Sequence, residues 1–161
     1  MRVFLILAVV LAVAGCGGRR RSPGEPDVSA SDLTPVSGVV KLDGEPLREA
    51  AVSFVYSGES RKDFVGSGGQ TDFSGKYQLR SGSKIGTLPG RYRVTISRLA
   101  SKDGSPVKAD PENGMDMEQM RMTGQLVDSV PPRYSDPEKT ELSVEIVKNQ
   151  KDPIDFDLKS N

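Results

Sequence analysis

The sequence predicts an all-β fold, an antiparallel β-sandwich of about seven short strands. Three observations carry this. Apolar residues alternate with polar ones over short segments, the period of a half-buried strand. Gly, Pro and Asp fall between those segments at turn positions. None of these segments carries an apolar stripe at helical spacing. One polar face per strand argues for antiparallel sheets with water outside, and such strands at regular intervals are the mark of a sandwich.

In order, Val36, Gly38, Val40 and Leu42 share one face of the first strand. Asp43-Gly44 follows as a hairpin signal, because glycine accepts positive φ without a Cβ clash. Ala50, Val52, Phe54 and Tyr56 form the next inward set, and residues 64–70 read as a glycine-rich edge strand. Asp72-Phe73-Ser74-Gly75 reads as a turn: the Asp72 carboxylate accepts backbone N–H groups and Gly75 takes the left-handed conformation. Tyr77 and Leu79 resume the alternation. Pro89-Gly90 predicts a type II turn, with Pro89 presetting φ and Gly90 supplying positive φ. Tyr92, Val94 and Ile96, then Leu142, Val144 and Ile146, then Ile154, Phe156 and Leu158 complete the set.

Residues 99–139 read as one long connection, punctuated by Pro106, Pro111, Gly114, Gly124, Pro131, Pro132 and Pro137. Loops of that length are functional or disordered. A short helical turn is expected within residues 112–122.

The N-terminus adds a targeting signal. Arg2 precedes an apolar run, Val3 to Val13, that ends in Ala14-Gly15-Cys16. Charge, short apolar core and small residues describe a secretory leader, and the run is short for a membrane span. Cys16, the only cysteine, stands where the lipobox of bacterial lipoproteins places its acylated residue. That resemblance implies cleavage before Cys16 and lipid on its sulfur, with palmitate among the acyl chains. The chain then divides into a leader over 1–15, a lipidated tether over 16–34 and a folded unit over 35–160. Arg19-Arg20-Arg21 in the tether reads as solvated linker charge, with contact to anionic headgroups as the alternative.

Composition excludes several functions. The full chain has zero formal net charge, and loss of Arg2 with the leader leaves −1. That is no footprint for nucleic acid. The sequence has no histidine and a single cysteine, which excludes an internal disulfide, histidine zinc sites and imidazole general bases.

Residues 36–47 (VSGVVKLDGEPL) with Ala51-Val52-Ser53-Phe54, then residues 71–79 (TDFSGKYQL) and 88–94 (LPGRYRV), resemble the opening strands of carboxypeptidase regulatory-like domains. Pro132-Arg133-Tyr134-Ser135-Asp136 leading into residues 140–146 is similar to short lipoproteins of planctomycete-type bacteria. The resemblance covers residues 35–159. It implies an Ig-like, transthyretin-like (prealbumin-like) sandwich and carries no peptidase activity with it. The hydrolase of this fold relies on histidines, which this chain lacks.

Four constellations bear on chemistry. Met115, Met117, Met120 and Met122 offer soft thioethers of the kind that bind copper(I), against the simpler reading that they cover an apolar edge. Asp103, Asp110, Glu112, Asp116 and Glu118 lack calcium-loop spacing and read as solvated charge. Ser67 sits in Gly66-Ser67-Gly68-Gly69 with no histidine to activate it. Tyr134 is expected as a corner anchor, with sugar stacking as the alternative. Together these predict a non-enzymatic, cofactor-free lipoprotein of the cell envelope. It would face the periplasm or the cell surface, the outer membrane being favoured because Gly17 and not Asp follows Cys16. Its expected role is a binding or structural module for an envelope protein or polysaccharide. The alternative is a small-ligand or copper(I) carrier using the methionine segment.

Overall fold

The β-branched and aromatic residues that alternate along the sequence build two packed sheets, with a separate two-stranded ribbon, in a computed structural model, which describes residues 28–58, 66–102, 120 and 122–161. The strands are β1 (Ser37–Leu42), β2 (Glu45–Pro46), β3 (Ala51–Tyr56), β4 (Gly66–Gln70), β5 (Lys76–Gln78), β6 (Arg80–Ser81) and β7 (Lys84–Ile85). They continue as β8 (Gly90–Ser97), β9 (Leu99–Ser101), β10 (Leu126–Asp128), β11 (Ser143–Ile146) and β12 (Phe156–Leu158), with a helical turn α1 (Pro132–Ser135) before β11. The larger sheet runs β11-β8-β3-β4-β6-β7. In the smaller sheet β1 pairs with β12, β2 and β5.

All seven expected strands form, and their inward residues are those that alternation marks. Val36, Val40, Val52, Phe54, Tyr77, Leu79, Tyr92, Val94, Ile96, Ile146, Phe156 and Leu158 are buried in one core. Phe54 is its hub. Its ring lies 5.8 Å from that of Tyr92 in its own sheet, and 6.3 and 6.2 Å from those of Tyr77 and Phe156 in the facing sheet. These tilted and edge-on arrangements are the favoured aromatic geometries.

The structure departs from the expectations in four places. The sheets are not wholly antiparallel: β12 pairs with β1 in parallel, Val40 opposite Phe156 and Leu42 opposite Leu158. The reason is directional. β11 ends at the end of the sandwich where β1 begins, so the chain that leaves it runs alongside β1 in the same sense. The folded unit also starts before residue 35. Val28, Leu33 and Thr34 are buried, and Thr34 exchanges backbone hydrogen bonds with Thr87 at 2.8 and 3.0 Å. The 99–139 connection is not uniformly irregular, because β9 pairs antiparallel with β10 and α1 follows. Finally, Pro89-Gly90 forms no hydrogen-bonded type II turn. Gly90 (φ +145°) opens β8 opposite Ile146, and a Cβ there would stand 2.6 Å from the Tyr56 ring.

The other turns form as expected. Asp43 and Gly44 both have positive φ, +52° and +86°, as a two-residue type I′ hairpin requires. Gly75 has φ +74°.

Candidate binding groove

An open groove of about 600 Å³ crosses the outer face of the smaller sheet. Its floor follows from strand alternation: residues that point away from the core on β1 and β5 line it, namely Ser37, Val39, Lys76 and Gln78. Gln70, Asp72, Pro153 and Asp155 close its rim.

Two carboxylates hold this groove in shape. Asp155 Oδ1 accepts the Val39 N–H at 2.8 Å and docks the lead-in to β12 on β1. The Ile154 N–H donates to the Ser37 carbonyl at 2.9 Å, and the Tyr77 hydroxyl donates to the Ile154 carbonyl at 2.7 Å. Asp72 Oδ1 accepts from the Ser74 N–H (2.8 Å), the Ser74 hydroxyl (2.8 Å) and the Lys76 N–H (2.9 Å). Those donors, the Ser74 hydroxyl foremost, hold its carboxyl below the ordinary carboxylate range. The Asp72 turn is therefore a fixed Asx-type turn, as its sequence predicts. The remaining groups (the Ser37 hydroxyl, the amides of Gln70 and Gln78, and the Lys76 ammonium) suit hydrogen bonding to a bound surface more than proton transfer.

A smaller depression of about 320 Å³ lies beside the β11 edge, lined by Ser57, Arg91, Tyr92, Ser143, Val144 and Glu145. Arg91 and Glu145 approach to 3.9 Å with both side chains exposed, a pair of small energetic weight.

The expected sites distribute as follows. Cys16, Met115 and Met117 lie outside the described residues, as do Asp103, Asp110, Glu112, Asp116 and Glu118. Met120 and Met122 are helical, Met120 half-buried and Met122 82% exposed. Among the described residues no group of three or more His, Cys, Asp or Glu side chains converges as metal ligands would, and no helix is long and apolar enough to cross a membrane. Ser67 points into the core, its hydroxyl buried without a hydrogen-bond partner.

The corner anchor is Tyr92, not Tyr134. The Tyr92 hydroxyl donates to the Leu88 carbonyl, four residues upstream, at 2.7 Å and accepts the Thr87 hydroxyl at 2.8 Å. Burial pushes its phenol up to about 12. Tyr134 sits in α1, half-buried against the core, where its hydroxyl accepts the Lys159 N–H at 3.5 Å and its ring lies 5.0 Å from the Arg133 guanidinium carbon.

The groove residues Ser37, Gln70, Gln78 and Asp155 escape sequence reasoning. Alternation marks them only as facing water, and nothing local distinguishes a groove wall from any other solvated face. No family model, no curated protein and no solved structure matches the chain.

Proposed function

We propose that this protein is an exported lipoprotein whose sandwich acts as a non-catalytic binding or structural module at the cell envelope. On this reading acyl chains on Cys16 hold it at a membrane. The groove of β1 and β5 meets an envelope polysaccharide or protein. The reading includes the Ig-like, transthyretin-like lineage that the motifs of residues 36–94 resemble.

The observation that carries it is the order Arg2, apolar run, Ala14-Gly15-Cys16, followed by a packed unit that already includes Val28, twelve residues on. Several buried acyl chains at about 0.8 kcal/mol per methylene suffice for lasting attachment. The groove supports recognition over catalysis: the Asp72 and Asp155 carboxylates both accept backbone N–H groups, and the sequence supplies no imidazole. Its lining carries both signs, Lys76 against Asp72 and Asp155, which suits a neutral hydrogen-bonding partner.

Two measurements test it. Cys16→Ser is expected to abolish palmitate incorporation and move the protein to the soluble fraction; unchanged labelling sinks the anchor. Gln70→Ala with Gln78→Ala is expected to weaken capture on isolated envelope polysaccharide or envelope protein while the melting temperature holds. Equal capture by wild type and variant, or turnover of a substrate by the purified protein, removes the binding reading.

A further inference from the structure

The first described residue is held at a defined place in the sandwich. Val28 is buried, and its carbonyl accepts the Lys84 ammonium at 2.6 Å. The segment that follows it is clasped from two sides at one end of the fold. Thr34 pairs with Thr87 on one side, and its hydroxyl accepts the Asn149 N–H at 3.3 Å on the other. The β6–β7 hairpin and the turn after β11 therefore flank residues 28–34. Each presents an exposed aliphatic residue, Ile85 at 48% and Val147 at 57%. Arg80, opposite Ile85 across the hairpin, and Lys148 and Lys151, close after Val147, are exposed, against Asp32 and Asp152, while the Lys84 ammonium is already donated to the Val28 carbonyl. The far end, at the Asp43-Gly44 and Asp72–Gly75 turns, lies across the length of β1, which pairs with Lys76 near its middle and with Glu45 at its end.

We infer that this end, built from the β6–β7 hairpin and residues 147–151, is a membrane-docking surface for anionic lipid headgroups. The inference rests on the anchor at Cys16 proposed above. Cys16 stands twelve residue steps before Val28. A fully extended chain of that length spans at most ~40 Å, at about 3.5 Å per residue. The end that holds Val28 is the one nearer Cys16 along the chain. For the far end to dock, the tether would have to spend about 20 Å of that span, the length of β1 at about 3.3 Å per residue, whereas the Val28 end docks without that detour. The excess of Lys and Arg complements anionic headgroups. Ile85 and Val147 supply aliphatic surface for the interface. The Asp72–Gly75 turn, with Phe73 77% exposed, and Met122 then point away from the membrane.

The test uses the full, acylated chain. Cys16 is the only native cysteine and its sulfur is blocked by lipid on this reading, so an introduced cysteine takes a polarity-sensitive fluorophore alone. Ile85→Cys and Val147→Cys report on the docking end and Phe73→Cys on the far end. On vesicles of phosphatidylglycerol with phosphatidylethanolamine, the labels at 85 and 147 are expected to shift to the blue and the label at 73 to stay at its value in water. The shift is expected to shrink on phosphatidylcholine, in high salt, and in Lys148→Glu with Lys151→Glu, while the protein still floats with the vesicles. Labels at 85 and 147 that stay at their water values on anionic vesicles, or a matching shift at 73, overturn the docking surface. Palmitate incorporation scores the anchor separately. If Cys16 takes none, the anchor falls, and the same labels are read in chains that also carry Cys16→Ser, held by an N-terminal hexahistidine on nickel-chelating lipid, where the same shifts support the surface and their absence overturns it.

Discussion

The Tyr77 hydroxyl donates to the Ile154 carbonyl at 2.7 Å beside Gly38, where a Cβ would collide with that same oxygen. β5, β1 and the lead-in to β12 meet at this point. The contact depends on Tyr77 reaching over a residue with no side chain. Tyr77→Phe leaves the carbonyl without its donor and is expected to lower stability by about 1–2 kcal/mol. Gly38→Ala forces the lead-in off β1 and is expected to cost about 3 kcal/mol. Urea unfolding of both variants checks the order; a Gly38→Ala protein as stable as wild type refutes this account of the junction.

Alkaline pH is expected to weaken the fold. Tyr92 is pushed from its ordinary 10.0 up to about 12, first by burial, and burial raises Tyr77 as well. Above pH 10 the unfolded chain releases these phenolic protons while the native state keeps them. The native state then binds more protons, so stability falls as pH rises. The contribution is whole below pH 10 and is lost as pH climbs towards 12. Denaturant midpoints measured from pH 8 to 11 are expected to decline, and less steeply in Tyr92→Phe.

Ser67 buries a hydroxyl with no partner, opposite Phe54 on β3. An unsatisfied buried polar group costs about 1–3 kcal/mol. Ser67→Ala is therefore expected to stabilise the protein by roughly 1 kcal/mol, read as a higher urea midpoint at unchanged slope. A destabilised variant would mean that the hydroxyl has a partner.

Acid is expected to act through Asp72, Asp43 and Asp136. Hydrogen bonds hold all three below the ordinary carboxylate value, from Ser74 at Asp72, Ser160 at Asp43 and the Glu138 N–H at Asp136. A depressed native pKa gives stability that is present above pH 4 and fades as pH falls through the native value. Asp72→Ala is expected to lower the melting temperature at neutral pH and to flatten its fall between pH 4 and 2. A melting curve that falls just as steeply over that interval excludes the Asp72 turn as a source of acid sensitivity.

Much of the architecture is legible residue by residue. Tyr92, Val94 and Ile96 alternate because β8 has one face in the core, and Asp43-Gly44 marks its hairpin because both positions need positive φ. The anchoring tyrosine is less legible. Tyr92 and Tyr134 each stand near the start of an element, and only the fold brings one hydroxyl onto the Leu88 carbonyl and the other to Lys159. The groove is least legible. Ser37, Gln78 and Asp155 lie far apart in sequence, and outward positions carry no periodic signal of their neighbours.

By itself, then, the sequence determined which residues turn inward, where the chain reverses and which chemistries have no side chain to perform them. Those are properties of single positions and short windows. Tertiary structure decided the parallel seating of β12 on β1, the handover at Leu79 from the smaller sheet to the larger, the burial of Val28 and Thr34, and the groove. Alternation reports that a strand has a buried face; it does not say which strand lies beside it. That choice belongs to the closure of the whole sandwich, where Phe54, Tyr77, Tyr92 and Phe156 meet in one core.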